Sequence, residues 1–221
     1  MSSAASRIAG AALLLTLLLS ACRAGDTESF NLHVPVPPGP VPVEGSFGLV
    51  YELHLTNFSN RPLRLKNLEV REGGDGRAFI ILGPAELSQR LYRPGPLADT
   101  TFFGPGTTGV VYIELTVSGT ELPQSIGHRV SFSETGGDAV MAVEGALVTV
   151  REELPVVLSP PLRGGPWVAV YDPEWPRGHR RVIYAVDGKA TIPGRYAIDW
   201  IRIDDEGRFA TGDLDSTADW L

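Results

Sequence analysis

The central part of the chain alternates apolar and polar residues with the two-residue period of a half-buried β-strand. The clearest case is the stretch 47–55, in which every second residue from Phe47 to Leu55 is aromatic or leucine. The residues between them include Glu52 and His54, and a period of two places these on the opposite face. We therefore predict a strand here that buries one face and turns the other, with His54, to solvent.

Short stretches of strand-forming residues recur along the chain and are separated by turn residues. The predicted strands lie at 63–70, 78–82, 110–117, 129–133, 140–144 and 146–150. Within the first of them the alternation slips at Asn67, which indicates a β-bulge. The pair Gly136-Gly137 marks a hairpin turn.

The predicted elements define a mainly β fold. A short helix is expected at 84–91, because Pro84 can occupy the first helical turn without loss of a hydrogen bond. About seven short strands with almost no helix favour an immunoglobulin-like β-sandwich, which we place at residues 44–153.

A change of composition marks the end of the predicted sandwich. Residues 154–166 are rich in proline and glycine, which is typical of a boundary between modules. Residues 154–221 hold all four tryptophans and many carboxylates. We predict further strands at 167–171, 181–186 and 196–203, so the mainly β fold continues as a partial, strand-rich module.

The first residues have the pattern of a bacterial lipoprotein signal peptide. Residues 8–21 form an uncharged run centred on leucine, too short for the ~20 residues that span a bilayer as a helix. The run ends in Leu19-Ser20-Ala21-Cys22, which resembles a lipobox. Cys22 is the only cysteine, so it cannot form an internal disulfide. We predict a signal peptide at 1–21 and lipidation of Cys22; an ordinary signal peptide that happens to precede a cysteine is the alternative.

The predicted anchor and the charge of the chain define its expected surroundings. Residues 22–43 are proline-rich and are interpreted as a lipidated tether. Arg23 after the cysteine favours the outer membrane, facing the periplasm. The formal net charge is −7, without basic clusters, which argues against nucleic acid and anionic lipid surfaces as partners.

Asp199 is the most informative residue for chemistry. In the predicted strand 196–203 it shares a face with alanine and isoleucine side chains. A carboxylate on such a face is unfavourable unless a metal ion, an arginine or several N–H groups satisfy it. From the pattern alone, ion pairs with Arg180, Arg181 or Arg195 are favoured over metal binding.

Three segments resemble the start of a peptidase domain. They are Pro161–Val170, the tetrapeptide Gly178-His179-Arg180-Arg181, and Arg195–Trp200. The family is that of the lysostaphin-type zinc metallopeptidases, in a bacterial lipoprotein subgroup with an N-terminal β domain. The resemblance implies a cell-envelope protein whose relatives use zinc to cut peptidoglycan cross-links. It also implies that residues 154–221 are the N-terminal part of such a domain, truncated here.

The resemblance also implies a zinc site, which this chain matches in part. The family uses a His-x-x-x-Asp pair and a distant His-x-His element. Asp199 matches the aspartate, but Arg195 stands at the position of the first histidine; His179 is a substitute ligand or simply a turn histidine. No histidine follows His179. Because a catalytic zinc site takes three protein ligands, we expect no catalytic residues, no stably bound zinc and no hydrolysis from this chain alone.

Two functions remain open. The first is a lipoprotein of a peptidase lineage, and the apolar end Trp220-Leu221 favours a truncated domain. The second is a non-catalytic β-sandwich lipoprotein that binds peptidoglycan or a cell-wall protein, or serves as a scaffold in the cell envelope.

Overall fold

The computed structural model describes residues 29–93, 100–118, 121–172, 175 and 178–221. The predicted signal peptide and Cys22 lie outside the described residues. The fold is mainly β, with 48% strand and 7% helix, which confirms the predicted class. Within the described ranges, no helix is long and apolar enough to cross a membrane.

The sandwich is built from the strands that precede residue 150 and one short helix. In chain order they are β1 (Phe30–His33), β2 (Pro40–Val43), β3 (Ser46–Asn57), β4 (Leu63–Glu72), β5 (Ala78–Leu82), α1 (Pro84–Arg90), β6 (Leu91–Tyr92), β7 (Phe102–Phe103), β8 (Thr108–Ser118), β9 (Ser125–Glu134) and β10 (Val140–Thr149). The predicted helix is thus confirmed as α1, with proline in its first turn.

The strands form two antiparallel sheets that enclose one core. The first sheet has the order β1-β3-β8-β6, and β2 also pairs with β3. The second has the order β10-β9-β4-β5, and β7 also pairs with β4. Immunoglobulin-like domains carry strands A, B, E and D in one sheet and C, F and G in the other. The two orders observed here reproduce that arrangement, with β5 added beside β4.

The core is formed by the apolar faces that the two-residue period predicts. Leu49, Tyr51 and Leu53 on β3 are completely buried. Phe30 packs edge to face on Phe103 and Phe132, with ring centroids 5.0 and 5.4 Å apart. This aromatic cluster joins both sheets, and buried aromatic side chains contribute strongly to core stability.

Irregularities in the second sheet also follow the predicted positions. The register of β4 against β9 shifts between Leu65 and Asn67, which confirms the bulge. The predicted strands 140–144 and 146–150 are one strand, β10, interrupted by a register shift between Gly145 and Val148. Ala146, at a φ of +49°, produces this interruption.

The interpretation of residues 22–43 as a tether is wrong for its described part. Both β1 and β2 lie within this range and pair with β3. Phe30 and Val34 are buried in the core, so this segment contributes to the sandwich rather than leading away from it. The prolines are tolerated because β2 lies at the edge of its sheet.

In the described residues of the C-terminal part the strands are short and form two small sheets. Strands β11 (Trp167–Val170) and β14 (Asp199–Arg202) pair antiparallel, and β12 (Tyr184–Val186) pairs with β13 (Lys189–Thr191). The predicted strand 181–186 is shortened because His179–Arg181 form a 3-10 turn. The predicted strand 196–203 begins only at Asp199, so the apolar face expected around this residue does not form.

The C-terminal part covers the outer face of the first sheet. Ile192 packs with Val110 and Tyr112 of β8 in a small apolar cluster separate from the main core. Beneath this cover Glu52 is only 1% exposed and His54 is half-buried. The prediction that this face of β3 points to solvent is therefore wrong at Glu52 and His54, because a segment distant in the chain covers them, while Val50 on the same face is exposed.

Candidate functional site

The structure brings together Asp199, which matches the aspartate ligand of the resembled family, and His179, the candidate substitute for the missing first histidine. His179 Nε2 lies 3.1 Å from both carboxylate oxygens of Asp199, although the residues are 20 positions apart. Their side chains are 47% and 61% exposed. The pair is thus an open, solvent-facing contact between an imidazole and a carboxylate, and an imidazole N–H that donates to a carboxylate forms a charge-assisted hydrogen bond.

Close packing against a glycine positions His179. It is the first residue of the 3-10 turn. A Cβ atom at Gly194 would lie 3.1 Å from His179 Cβ, so any larger residue at 194 would press on the histidine. The close approach of Gly194 therefore restricts the space in which the His179 side chain can lie.

Strand pairing positions Asp199. It opens β14 and lies opposite Val170 of β11 in the antiparallel register. The arginines predicted as its partners contact other groups instead. Arg195 and Arg180 form ion pairs with carboxylates of the sandwich, and Arg181 Nη1 donates to the Gln89 carbonyl at 2.8 Å. Asp199 is exposed, so it does not need an arginine to offset burial.

Arg180 anchors the turn that carries His179. Arg180 is 5% exposed, and its guanidinium forms an ion pair with Glu114 of β8. The same guanidinium lies 6.0 Å from the Tyr112 ring centroid, and that of Arg181 lies 5.5 Å from it. Burial is the main cause that lowers the pKa of Arg180, while Glu52 raises it. An arginine remains charged in this setting, so the contact is a buried cationic anchor.

Arg195 forms a second anchor to the sandwich, on β3, the strand next to β8. Its Nη2 lies 2.7 Å from Glu52 Oε2, and the two side chains are 15% and 1% exposed. Burial raises the pKa of the Glu52 carboxyl, and the positive charges of Arg195 and Arg180 partly counter this. A buried ion pair contributes little net stability, but removal of one partner leaves an uncompensated charge.

The His179–Asp199 pair fits two positions of a zinc site. Ligand atoms about 2.0–2.1 Å from a tetrahedral zinc ion are separated by about 3.3 Å, and the observed separation is 3.1 Å. Nε2 can face the metal if the proton resides on Nδ1. No group of three or more His, Cys, Asp or Glu side chains in the described part of the chain could hold a metal ion. The pair would thus supply two of the three protein ligands that a catalytic zinc ion takes.

Comparison with known proteins does not assign a family. No family model and no curated protein match the chain. Among solved structures, a Bordetella pertussis protein assigned the name ApaA is 16% identical over 57% of this chain and 97% of its own length. Its TM-score is 0.34, which is too low to support any conclusion about fold or function.

The other histidines lie away from this pair. His128 is buried in the sandwich, where it contacts the Tyr51 hydroxyl at 2.9 Å. His33 and His54 lie directly opposite each other on β1 and β3, with ring centroids 6.3 Å apart. Sequence spacing did not reveal this second pairing, because it depends on the register of two strands. The only sequence signal is that both histidines fall in stretches able to form strands.

Proposed function

We propose that this chain is a lipid-anchored protein of the bacterial cell envelope, related to the zinc endopeptidases that cut peptidoglycan. Cys22 would carry the lipid and hold the chain at the outer membrane, facing the periplasm. The sandwich would carry the C-terminal, peptidase-like part. The observation that supports the relationship is the contact of His179 with Asp199 at 3.1 Å, since Asp199 matches the family's aspartate and His179, from a separate segment, stands where a substitute ligand would.

In this proposal His179 Nε2 and the Asp199 carboxylate hold the metal. Zinc, when bound, polarises a carbonyl group and activates water. Both side chains are exposed, so a peptide in solution has access to them. The ion pairs of Arg180 and Arg195 with the sandwich hold the His179 turn and the segment leading to Asp199 in place.

The chain by itself falls short of a catalytic site. A catalytic zinc ion takes three protein ligands, and the chain's remaining histidines, His33, His54 and His128, lie on the strands of the sandwich. We therefore propose that this chain binds zinc weakly and does not hydrolyse peptidoglycan unless another group completes the site.

A second candidate is a non-catalytic binding or scaffold lipoprotein of the cell envelope. The observation that favours it is that His179 and Asp199 form a complete hydrogen-bonded contact on their own. In that case the pair is a structural link between the 3-10 turn and β14, without a role for metal.

Zinc titration of the full chain in detergent, followed by calorimetry, separates the two candidates. We expect one weak zinc site, and we expect His179→Gln and Asp199→Asn each to lower its affinity by more than about tenfold. His33→Gln is the matched control, because it removes another exposed histidine and should leave binding intact. If both site variants bind zinc like the original chain, the metal-site proposal fails. Zinc-dependent cleavage of purified peptidoglycan by the unaided chain would contradict the expected inactivity.

A further inference from the structure

A cleft of about 840 Å³ lies between the first sheet and the C-terminal part. One wall belongs to the sandwich and includes His33, Val36 and His54. The other wall includes strand β13 and Tyr196. This volume is in the range of about 300–1,000 Å³ that is usual for ligand-binding sites.

The lining of the cleft is cationic. Arg151 and Lys189 line it together with His33 and His54, and no carboxylate is among its described lining residues. Arg151 Nε donates to the Pro37 carbonyl at 3.0 Å. In the described part of the chain, neither Arg151 nor Lys189 has an acidic partner within ion-pair distance. In a protein of net charge −7, unpaired cations in one cleft indicate a site that attracts anions.

The charges around the histidine pair, His33 and His54, also favour an anion in the cleft. Burial lowers the pKa of His54, and the nearby His33 and Arg195 lower it further. Arg195 also lines the cleft, but its charge is already paired with Glu52. The cluster thus disfavours additional positive charge, and an anion in the cleft would relieve this repulsion.

The free edge of β13 adds main-chain hydrogen-bonding groups. Strands β12 and β13 are joined by the two-residue turn Asp187-Gly188, in which both φ angles are positive. In such a hairpin the pair next to the turn exchanges its hydrogen bonds, and the following pair does not. That following pair is Ala185 and Ala190. The N–H and C=O groups of Ala190 therefore point away from β12, and all three residues of β13 line the cleft.

We propose that this cleft binds a short extended peptide that carries a carboxylate. The peptide main chain would pair with the free edge of β13, as extended ligands do at exposed sheet edges. Its carboxylate would lie among Arg151, Lys189 and the histidine pair. The aromatic ring of Tyr196, 80% exposed, and Val36 would contact its apolar side chains. This site goes beyond the proposed function, because it uses neither His179 nor Asp199 and needs no metal.

The test compares two synthetic peptides on the full chain in detergent, with a chelator present so that zinc plays no part. The probes are Ac-Val-Ala-Val-Glu with free carboxylates and its uncharged counterpart Ac-Val-Ala-Val-Gln-NH2. We expect the acidic peptide to shift the NMR signals of the His33 and His54 rings and to raise the pKa of His54. The amidated peptide should bind about tenfold more weakly or worse, because it lacks the charges that the cleft attracts.

Two lysine variants and one small anion complete the design. Lys189→Gln should weaken binding of the acidic peptide about tenfold. Lys66→Gln is the matched control, since the only other lysine lies on β4 of the second sheet and should not matter. Absence of binding, equal binding of both peptides, or equal effects of both variants would overturn the proposal. Inorganic phosphate that binds as tightly as the peptide would overturn the peptide assignment. Because the chelator removes zinc, these outcomes test the peptide site alone and do not bear on the proposed metal site.

Discussion

The sandwich and the C-terminal part are stabilised in opposite ways. The sandwich buries leucine, valine and phenylalanine side chains from both sheets in one core. Among the described residues after 150, only Arg180 and Ile192 are buried. Large apolar side chains in that region are exposed to solvent, Val157 by 94% and Tyr196 by 80%. The C-terminal part therefore depends on its contacts with the sandwich, while the sandwich has a core of its own.

This difference shows which region sets the stability of the fold and which contacts fix the position of the C-terminal part. Apolar burial is the main favourable term in folding, so the sandwich should set the global stability. The C-terminal part docks through the buried side chains of Arg180 and Arg195, whose ion pairs contribute little net free energy but fix its position. Local opening of the C-terminal part should thus require less free energy than unfolding of the sandwich.

The largest expected effect comes from the aromatic cluster of the sandwich. Phe132→Ala should lower the free energy of unfolding by about 3–5 kcal/mol, because it leaves a cavity where the two sheets meet. Urea denaturation of the full chain measures this. Phe58→Ala is the matched control, since Phe58 is 71% exposed and its loss should change stability by less than about 0.5 kcal/mol. Equal effects of the two variants would show that this cluster is not the stabilising centre.

A smaller and local effect is expected at the interface. Glu52→Gln removes the partner of the buried Arg195, which should weaken docking by about 3 kcal/mol and leave the sandwich folded. Trypsin should then cleave after Arg180 about a hundredfold faster, because this residue becomes accessible. Glu134→Gln, which removes only an exposed ion pair with Arg61, should cleave like the original chain. Loss of the whole sandwich in the Glu52 variant, with no separate opening step, would contradict the distinction between the regions.

The difference between the sandwich and the C-terminal part also explains how much of the structure could be predicted from the sequence. In β3 the apolar period alone predicts which face enters the core, because neighbouring residues along one strand carry that information. The bulge at Asn67 and helix α1 are local features and were predicted for the same reason. The edge strands β1 and β2 were missed, since proline suggested an extended tether.

The interface between the two regions and the His179–Asp199 site leave no comparable periodic signal in the sequence. Glu52 is a charged residue on the predicted solvent face, and nothing near it in sequence indicates that a segment more than a hundred residues away covers it. The predicted arginine partners of Asp199 rested on a strand that begins three residues later than expected. Asp199 was a candidate because it matches the family's aspartate, and His179 only as a substitute for the histidine that Arg195 replaces. Their contact depends on the tertiary structure and does not follow from the spacing of residues along the chain.

The last prediction concerns a polar group inside the apolar region. The Tyr51 hydroxyl lies 2.9 Å from His128 Nε2, and His128 Nδ1 lies 3.2 Å from the Ala146 carbonyl. Because a carbonyl oxygen only accepts, Nδ1 carries the proton of the neutral ring and Nε2 accepts from the hydroxyl. This arrangement links the two sheets and satisfies both ring nitrogens of a neutral imidazole. Burial lowers the pKa of His128 from 6.5 to about 4, against the smaller opposite effect of its backbone contacts.

The sandwich should therefore lose stability in acid. Between pH 6.5 and about 4 the unfolded chain binds a proton at His128 that the folded chain does not, so the free energy of unfolding falls as pH falls. The full loss is about 3 kcal/mol and is reached gradually across this window. Urea titrations from pH 7 to pH 4 should show this slope in the original chain and a much smaller one in His128→Leu. The raised pKa of Glu52 acts in the opposite direction, but it is present in both proteins and cancels in their difference. Equal slopes would mean that the buried histidine is not what makes the sandwich acid-sensitive.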